Sequence, residues 1–164
     1  MIKLILLDVD GTLTDGGIYL GNGGEELKKF NVKDGYAIVN AQKLGIEFGI
    51  ITGAKSELVS KRAERLKIKY LYQDISEKTV ILDEIMQITG LQKEEIAYMG
   101  DDLNDIKIMK KAGFSGTPLD GVNEAKIIAD FVSTKNGGEG AVREFIETIL
   151  KKDKLFQKFL INVK

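Results

Sequence analysis

The hydrophobic pattern changes period many times along the chain. Ile2-Lys3-Leu4-Ile5-Leu6-Leu7 is a nearly continuous apolar run that gives way to Asp8-Val9-Asp10-Gly11-Thr12-Leu13. Such a run reads as a strand buried on both faces that stops at a turn. Ile46-Glu47-Phe48-Gly49-Ile50-Ile51 repeats the form and ends at Thr52-Gly53. Shorter versions are Tyr70-Leu71-Tyr72, Phe131-Val132 and Ile96-Ala97-Tyr98-Met99, which closes on Gly100-Asp101-Asp102-Leu103-Asn104-Asp105. Between these runs the spacing becomes helical. Ile38, Val39, Ala41 and Leu44 precede Gly45; Leu58, Val59, Ala63 and Leu66 follow Lys55-Ser56; Val80, Leu82, Ile85, Met86 and Ile88 lie between Ser76 and Gly90. Further helices are expected through Ile106, Ile108 and Met109, from about Val122 to Ile128, and from near Ala141 after Gly137-Gly138-Glu139-Gly140. The first connection differs. Gly16, Gly17, Gly21, Gly23 and Gly24 punctuate Ile18-Tyr19-Leu20 and Glu26-Leu27-Lys28-Lys29-Phe30, which predicts a β-hairpin at about residues 17–30.

Strands alternating with helices predict an α/β fold: a mainly parallel sheet covered on both faces. The 164 residues fit one domain over 1–164, with no repeat and no linker. A tail at 151–164 carries Leu155, Phe156, Phe159 and Leu160 at helical spacing and is expected to pack on the body or on a neighbouring subunit. Parallel sheets bind ligands at the carboxyl ends of their strands. The polar clusters Asp8/Asp10, Thr52, Lys78 and Asp101/Asp102/Asp105 all fall on that edge.

Composition narrows the chemistry. Lys+Arg 24 against Asp+Glu 25 leaves no basic excess for nucleic acid or an anionic membrane. No apolar run approaches the ~20 residues of a membrane span. With no signal-peptide pattern at the N-terminus, a cytoplasmic location is expected. The chain has Cys 0 and His 0, so thiolate catalysis, His bases and most transition-metal sites drop out. What is left is carboxylates, lysines, hydroxyls and an oxygen-bound cation. If the first strand persists, Asp8 and Asp10 point the same way, and Mg²⁺ is the natural neutraliser of two such carboxylates. The set suits phosphoryl transfer. Asp8 would be the nucleophile, and Asp10 the general acid and then base. Thr52, Gly53 and Lys78 would hold the phosphate, with Asp8, Asp101 and the Asp10 carbonyl on the metal. Asp105 would sit in or beside the metal site and Asp102 near it.

In these residues the sequence resembles the haloacid dehalogenase superfamily of Mg²⁺-dependent aspartyl-phosphate phosphatases. The motifs occur in order: DVDGT at 8–12, Thr52 at a strand end, Lys78, and GDDLND at 100–105. The stretches from Asp10 to Thr52 and from Thr52 to Lys78 are too short for a cap domain. The layout is similar to the capless sugar-acid phosphatases typified by those acting on 3-deoxy-D-manno-octulosonate (KDO) 8-phosphate, in LLDVDGTLTDG, FNVKDG, RAERL, GDDLND and GGEGAVREF. That resemblance implies a three-layer Rossmann-like fold, hydrolysis of a sugar-acid phosphate in lipopolysaccharide synthesis, and a homotetramer in which a neighbour closes the site. It also makes Arg62 a candidate for the substrate carboxylate, across a subunit boundary. Three positions depart from the pattern: Ala54 stands where Arg is usual, Asp74 where Gly is usual, and Tyr36-Ala37 where a Gly is common. Of these, Ala54 bears on which sugar acid is accepted. A receiver-type signalling module would instead phosphorylate Asp74 and leave GDDLND without a role. A non-catalytic subunit of the same fold would have no use for the intact acid set.

Overall fold

The computed structural model describes residues 1–162; positions 163 and 164 of the expected tail lie outside the described residues. The chain opens with β1 (Leu4–Leu7), all four residues buried, and then the hairpin strands β2 (Tyr19–Leu20) and β3 (Glu26–Leu27). There follow α1 (Val32–Gln42), β4 (Glu47–Ile51), α2 (Glu57–Arg65), β5 (Tyr70–Tyr72) and α3 (Lys78–Thr89). The second half is β6 (Ile96–Met99), α4 (Ile106–Lys111), β7 (Phe114–Thr117), α5 (Asn123–Ile128), β8 (Phe131–Val132), α6 (Ala141–Lys152) and α7 (Phe156–Asn162).

Six strands form one parallel sheet in the order β5-β4-β1-β6-β7-β8. β1 lies at its middle, with Leu4 opposite both Glu47 of β4 and Ile96 of β6. Alternation along β1 feeds two cores. Ile5 and Leu7 pack with Ala37, Ile38, Val59, Ala63, Phe145 and Ile149 from α1, α2 and α6. Leu4 and Leu6 pack with Leu82, Ile85, Ile108 and Ala125 from α3, α4 and α5. Each such side chain contributes roughly 1.5–3 kcal/mol by leaving water. Phe159 of α7 is 1% exposed and joins the first core, so the tail packs on the body. No helix among the described residues is long and apolar enough to cross a membrane.

The connections explain where a site can form. From β1 the chain runs outward through β4 to β5; it then returns to β6 and runs the other way through β7 to β8. The loops after β1 and β6 therefore part at the carboxyl edge, the place where such sheets bind ligands. Asp8 and Asp101 are in those two loops.

The structure differs from the sequence pattern in two instructive places. The pattern does not mark Phe114–Thr117, yet it is a buried strand, because Gly116 leaves room for the Phe145 ring. The first strand stops at Leu7, and Val9–Leu13 is a kinked turn with Gly11 at φ +91°, so Asp8 and Asp10 do not share a strand face.

Candidate active site

Lys78 is the first residue of α3, and its ammonium reaches the sheet edge from below. It donates to Asp8 Oδ1 at 2.6 Å, Asp105 Oδ1 at 2.7 Å and the Tyr98 hydroxyl at 3.0 Å. Those contacts engage all three of its N–H groups. Lys78 is 2% exposed, Asp8 6% and Asp105 0%. Burial alone would pull the Lys78 ammonium down, but Asp8 and Asp105 outweigh it and hold the group charged. Burial pushes the Tyr98 phenol well above its ordinary range, so it stays a proton donor, and it gives its hydrogen to Asp105.

Asp105 is the pin of the loop after β6. Its Oδ1 accepts from Lys78 and Tyr98, and its Oδ2 accepts from the backbone N–H groups of Asp101 and Asp102. All four lone-pair directions are then filled. Its carboxylate lies in one cluster with those of Asp8 and Asp101, ligand atoms all within 4.8 Å of one another. Only Asp8 and Asp101 keep acceptor capacity there. Asp102 is exposed and caps the following turn by accepting from Leu103 N–H.

Asp101 sits half-buried and accepts one hydrogen bond, from Thr12 Oγ1 at 3.1 Å. Burial first, then repulsion from Asp8 and Asp105, pushes its carboxyl up to about 8. Burial and Asp105 push Asp8 up to about 6 against the pull of Lys78. Three carboxylates facing one buried ammonium leave negative charge unmatched. An all-oxygen donor set with that excess fits a hard divalent cation of the Mg²⁺ kind.

The loop after β1 is packed without slack. A Cβ on Gly11 would overlap the Asp101 carboxylate, and one on Gly137 would overlap the Gly11 carbonyl. Gly138 N–H donates to Thr12 O, and Gly137 N–H to Asp120 Oδ1. Thr14 Oγ1 accepts from Gly11 and Gly16 N–H. Asp10 leaves this loop outward: its side chain is 44% exposed and bonded to Lys28 at 2.6 Å.

Asp8, Asp10, Thr52, Gly53, Ala54, Asp102 and Asn104 line a hollow of about 280 Å³ at the carboxyl edge. Thr52 directly follows β4, buried, its hydroxyl accepting from Ala54 N–H at 3.4 Å. A larger hollow of about 430 Å³ lies at the opposite edge, but its Lys3 and Lys69 are already paired with Glu95 and Glu47. Of the expected residues, Arg62 alone stands apart. Its guanidinium donates to Asn31 O and lies over the Phe30 ring, beside a separate hollow with Val32, Tyr36 and Arg65. Asp74 is exposed with φ +59°, a left-handed conformation that explains a Gly preference and gives a receiver-type phosphorylation no site.

Tyr98, Thr12 and Lys28 were not legible as site residues. Tyr98 reads as core and Lys28 as one of two surface lysines; only the polar hydroxyl at the end of an apolar strand hints at the first.

Comparison with known proteins agrees with this geometry. A family profile described as haloacid dehalogenase-like hydrolase matches residues 70–146. The 3-deoxy-D-manno-octulosonate 8-phosphate phosphatase KdsC of Escherichia coli K12 is 46% identical over 149 residues, 91% of this chain and 79% of that protein. The crystal structure of the Moraxella catarrhalis phosphatase of the same name, in complex with magnesium, phosphate and KDO, superposes with a TM-score of 0.96 at 38% identity, covering 99% of this chain and 94% of that one. The cobalt-bound Haemophilus influenzae enzyme gives 0.87 at 33% identity, covering 92% and 88%. The chain belongs to the haloacid dehalogenase-like hydrolases, in the family of the 3-deoxy-D-manno-octulosonate 8-phosphate phosphatases.

Proposed function

We propose that the protein is a Mg²⁺-dependent phosphatase that hydrolyses KDO 8-phosphate to KDO and inorganic phosphate, as a step of lipopolysaccharide synthesis. The observation that carries this reading is the buried Asp8–Lys78 pair at 2.6 Å, clustered with the Asp101 carboxylate, with Asp8 lining the hollow. The Moraxella relative that binds magnesium, phosphate and KDO supports it.

Asp8 and Asp101 carboxylates with the Asp10 carbonyl would hold the Mg²⁺, which supplies charge to offset repulsion between a carboxylate and a phosphate dianion. Lys78 fixes Asp8 Oδ1 and leaves the other oxygen as nucleophile. That oxygen attacks phosphorus, the bond from phosphorus to the sugar oxygen breaks, and Asp10 gives the departing alkoxide its proton. Water then attacks the aspartyl-phosphate, Asp10 takes its proton, and phosphate leaves with Asp8 restored. Thr52 and Gly53 orient the phosphate oxygens. Asp105 serves as the pin that aims Lys78 and the Asp101 loop, and Asp102 as a rim residue.

The site is open, with Ala54, Asp102 and Asn104 exposed at its rim. The hairpin carries Ile18 at 81%, Leu20 at 71% and Leu27 at 62% exposure, an apolar surface that supports self-assembly, with a tetramer the reading taken from the family. Arg62 then reaches a substrate carboxylate only in a neighbour's site. A phosphate dianion does not cross a bilayer unaided, so the enzyme works in the compartment that makes its substrate, which we take to be the cytoplasm.

The test is phosphate release from a panel of sugar-acid phosphates with Mg²⁺ and with chelator. Mg²⁺-dependent turnover that prefers KDO 8-phosphate supports the reading. Turnover spread over other phosphates moves the substrate and points to Ala54, and none at all removes the activity. Light scattering of the protein and of Leu20→Asp tests the assembly.

A further inference from the structure

The hairpin is weakly tied to the body. Its strands have two residues each, and the bridge between Thr14 and Phe30 closes its base. Lys28, just after β3, is nonetheless the most buried lysine side chain outside the Lys78 network among the ion pairs, 7% exposed. Its ammonium donates to Asp10 Oδ1 at 2.6 Å and meets Glu26 Oε1 at 3.2 Å. The next residue shows what an ordinary hairpin lysine looks like: Lys29 is 55% exposed and 3.9 Å from Asp15. Burial would pull the Lys28 ammonium down, yet its carboxylate partners hold it above its usual value. A half-buried, charged lysine whose side chain is largely covered, gripping one oxygen of an exposed carboxylate, is better ordered than a loose surface ion pair.

Asp10 has reason to be gripped. It stands at the kink beside Gly11, its side chain is 44% exposed, and among the described residues Lys28 is the one hydrogen-bond donor to its carboxylate. A proton donor has to meet the leaving oxygen at hydrogen-bond distance, and an error of about 1 Å costs on the order of 100-fold.

We propose that Lys28 is a positioning residue of the phosphatase: by holding Asp10 Oδ1 it aims Asp10 Oδ2 at the sugar oxygen leaving phosphorus, which makes the hairpin part of the acid–base apparatus. The proposal rests on Asp10 being the general acid. It gives the first connection of the chain a catalytic duty besides assembly.

The experiment measures kcat/KM with Mg²⁺ for wild type, Lys28→Ala, Lys28→Arg, Asp10→Asn and the Lys28→Ala/Asp10→Asn pair. Two substrates are compared: KDO 8-phosphate, whose alkoxide needs a proton to leave, and p-nitrophenyl phosphate, whose nitrophenolate does not. Lys28→Ala is expected to lose roughly 10- to 100-fold on the sugar phosphate and under about 3-fold on the aryl phosphate. Lys28→Arg, which keeps the charge and the fold, recovers most of the loss. The pair is no slower than Asp10→Asn alone, because the two act as one unit. Equal losses on both substrates for Lys28→Ala and Lys28→Arg, or a pair slower than Asp10→Asn by the full Lys28→Ala factor, overturn the proposal. If Asp10→Asn itself loses equally on both substrates, the acid assignment falls first and the Lys28 proposal with it.

Discussion

The Asp8 carboxylate and the Lys78 ammonium meet at 2.6 Å with side chains 8% and 2% exposed, across a gap in sequence that the sheet closes. Neither group is stable in that position alone. Removing the ammonium with Lys78→Met leaves Asp8 and Asp105 buried without a counter-charge, an error that costs about 3–5 kcal/mol. Chemical denaturation should show that loss, and turnover should vanish with it.

Asp8→Asn is the complementary change. It keeps the shape and the Lys78 contact but removes the proposed nucleophile, and loss of a nucleophile costs at least about 1,000-fold in kcat. Circular dichroism should show the fold intact. Appreciable remaining turnover would sink the nucleophile assignment.

The acid cluster makes metal-free stability depend on pH. Unfolded aspartates bind protons only below about 4. In the folded chain Asp8 keeps its proton up to about 6 and Asp101 up to about 8, and burial in the first turn of α1, outside the cluster, gives Asp34 a value of about 6 as well. The folded state therefore binds more protons between about 4 and 8, and stability falls as pH rises through that window. With chelator present, the melting temperature should be lower at pH 8 than at pH 5. Added Mg²⁺ should raise it at pH 8 more than at pH 5, because the ion binds the ionised carboxylates.

Asp101→Asn separates stability from function at the same place. Asp101 is the member of the cluster with a hydroxyl and no cation on it. Its replacement should raise metal-free stability at pH 8 by about 1–3 kcal/mol while lowering activity and Mg²⁺ affinity, the exchange common at built-in charged sites. A fall in metal-free stability would count against burial and like-charge crowding as the causes of the raised Asp101 value.

Asp74→Gly tests one departure from the family pattern. At φ +59° an Asp is strained where a Gly is not. The substitution should stabilise the fold by up to about 1 kcal/mol and leave kcat/KM within about 2-fold. A large kinetic effect would show that Asp74 takes part in substrate recognition after all.

These residues also show why part of the site could be seen in the sequence and part could not. Asp8, Thr52 and Asp101 stand where apolar runs break, and a break in a buried strand is legible one residue at a time. Lys78 was legible by its place in the motif order. Tyr98 and Phe114–Thr117 were not: a tyrosine in an apolar run looks like core, and Gly116 is buried because Phe145 packs on it from a helix far along the chain. Lys28 depends on a kink that turns Asp10 away from the strand, a backbone event that side-chain pattern does not encode. Arg62 carries a motif signal, but within one chain its charge meets Asn31 and Phe30 and stays outside the Asp8 hollow.

The central place of β1 governs the timing of folding. That strand is flanked by Glu47–Ile50 on one side and Ile96–Met99 on the other, and its following loop is clamped by Gly137 and Gly138. Its β4 edge can be covered once residue 51 is made, but its β6 edge stays open until residues 96–99 follow, and contacts of such long sequence separation form slowly. A chain that ends before β6 thus presents an apolar strand with one open edge, a segment prone to aggregate. A chain cut before Gly137 lacks the clamp on the loop that follows Asp8, and it is expected to lack phosphatase activity.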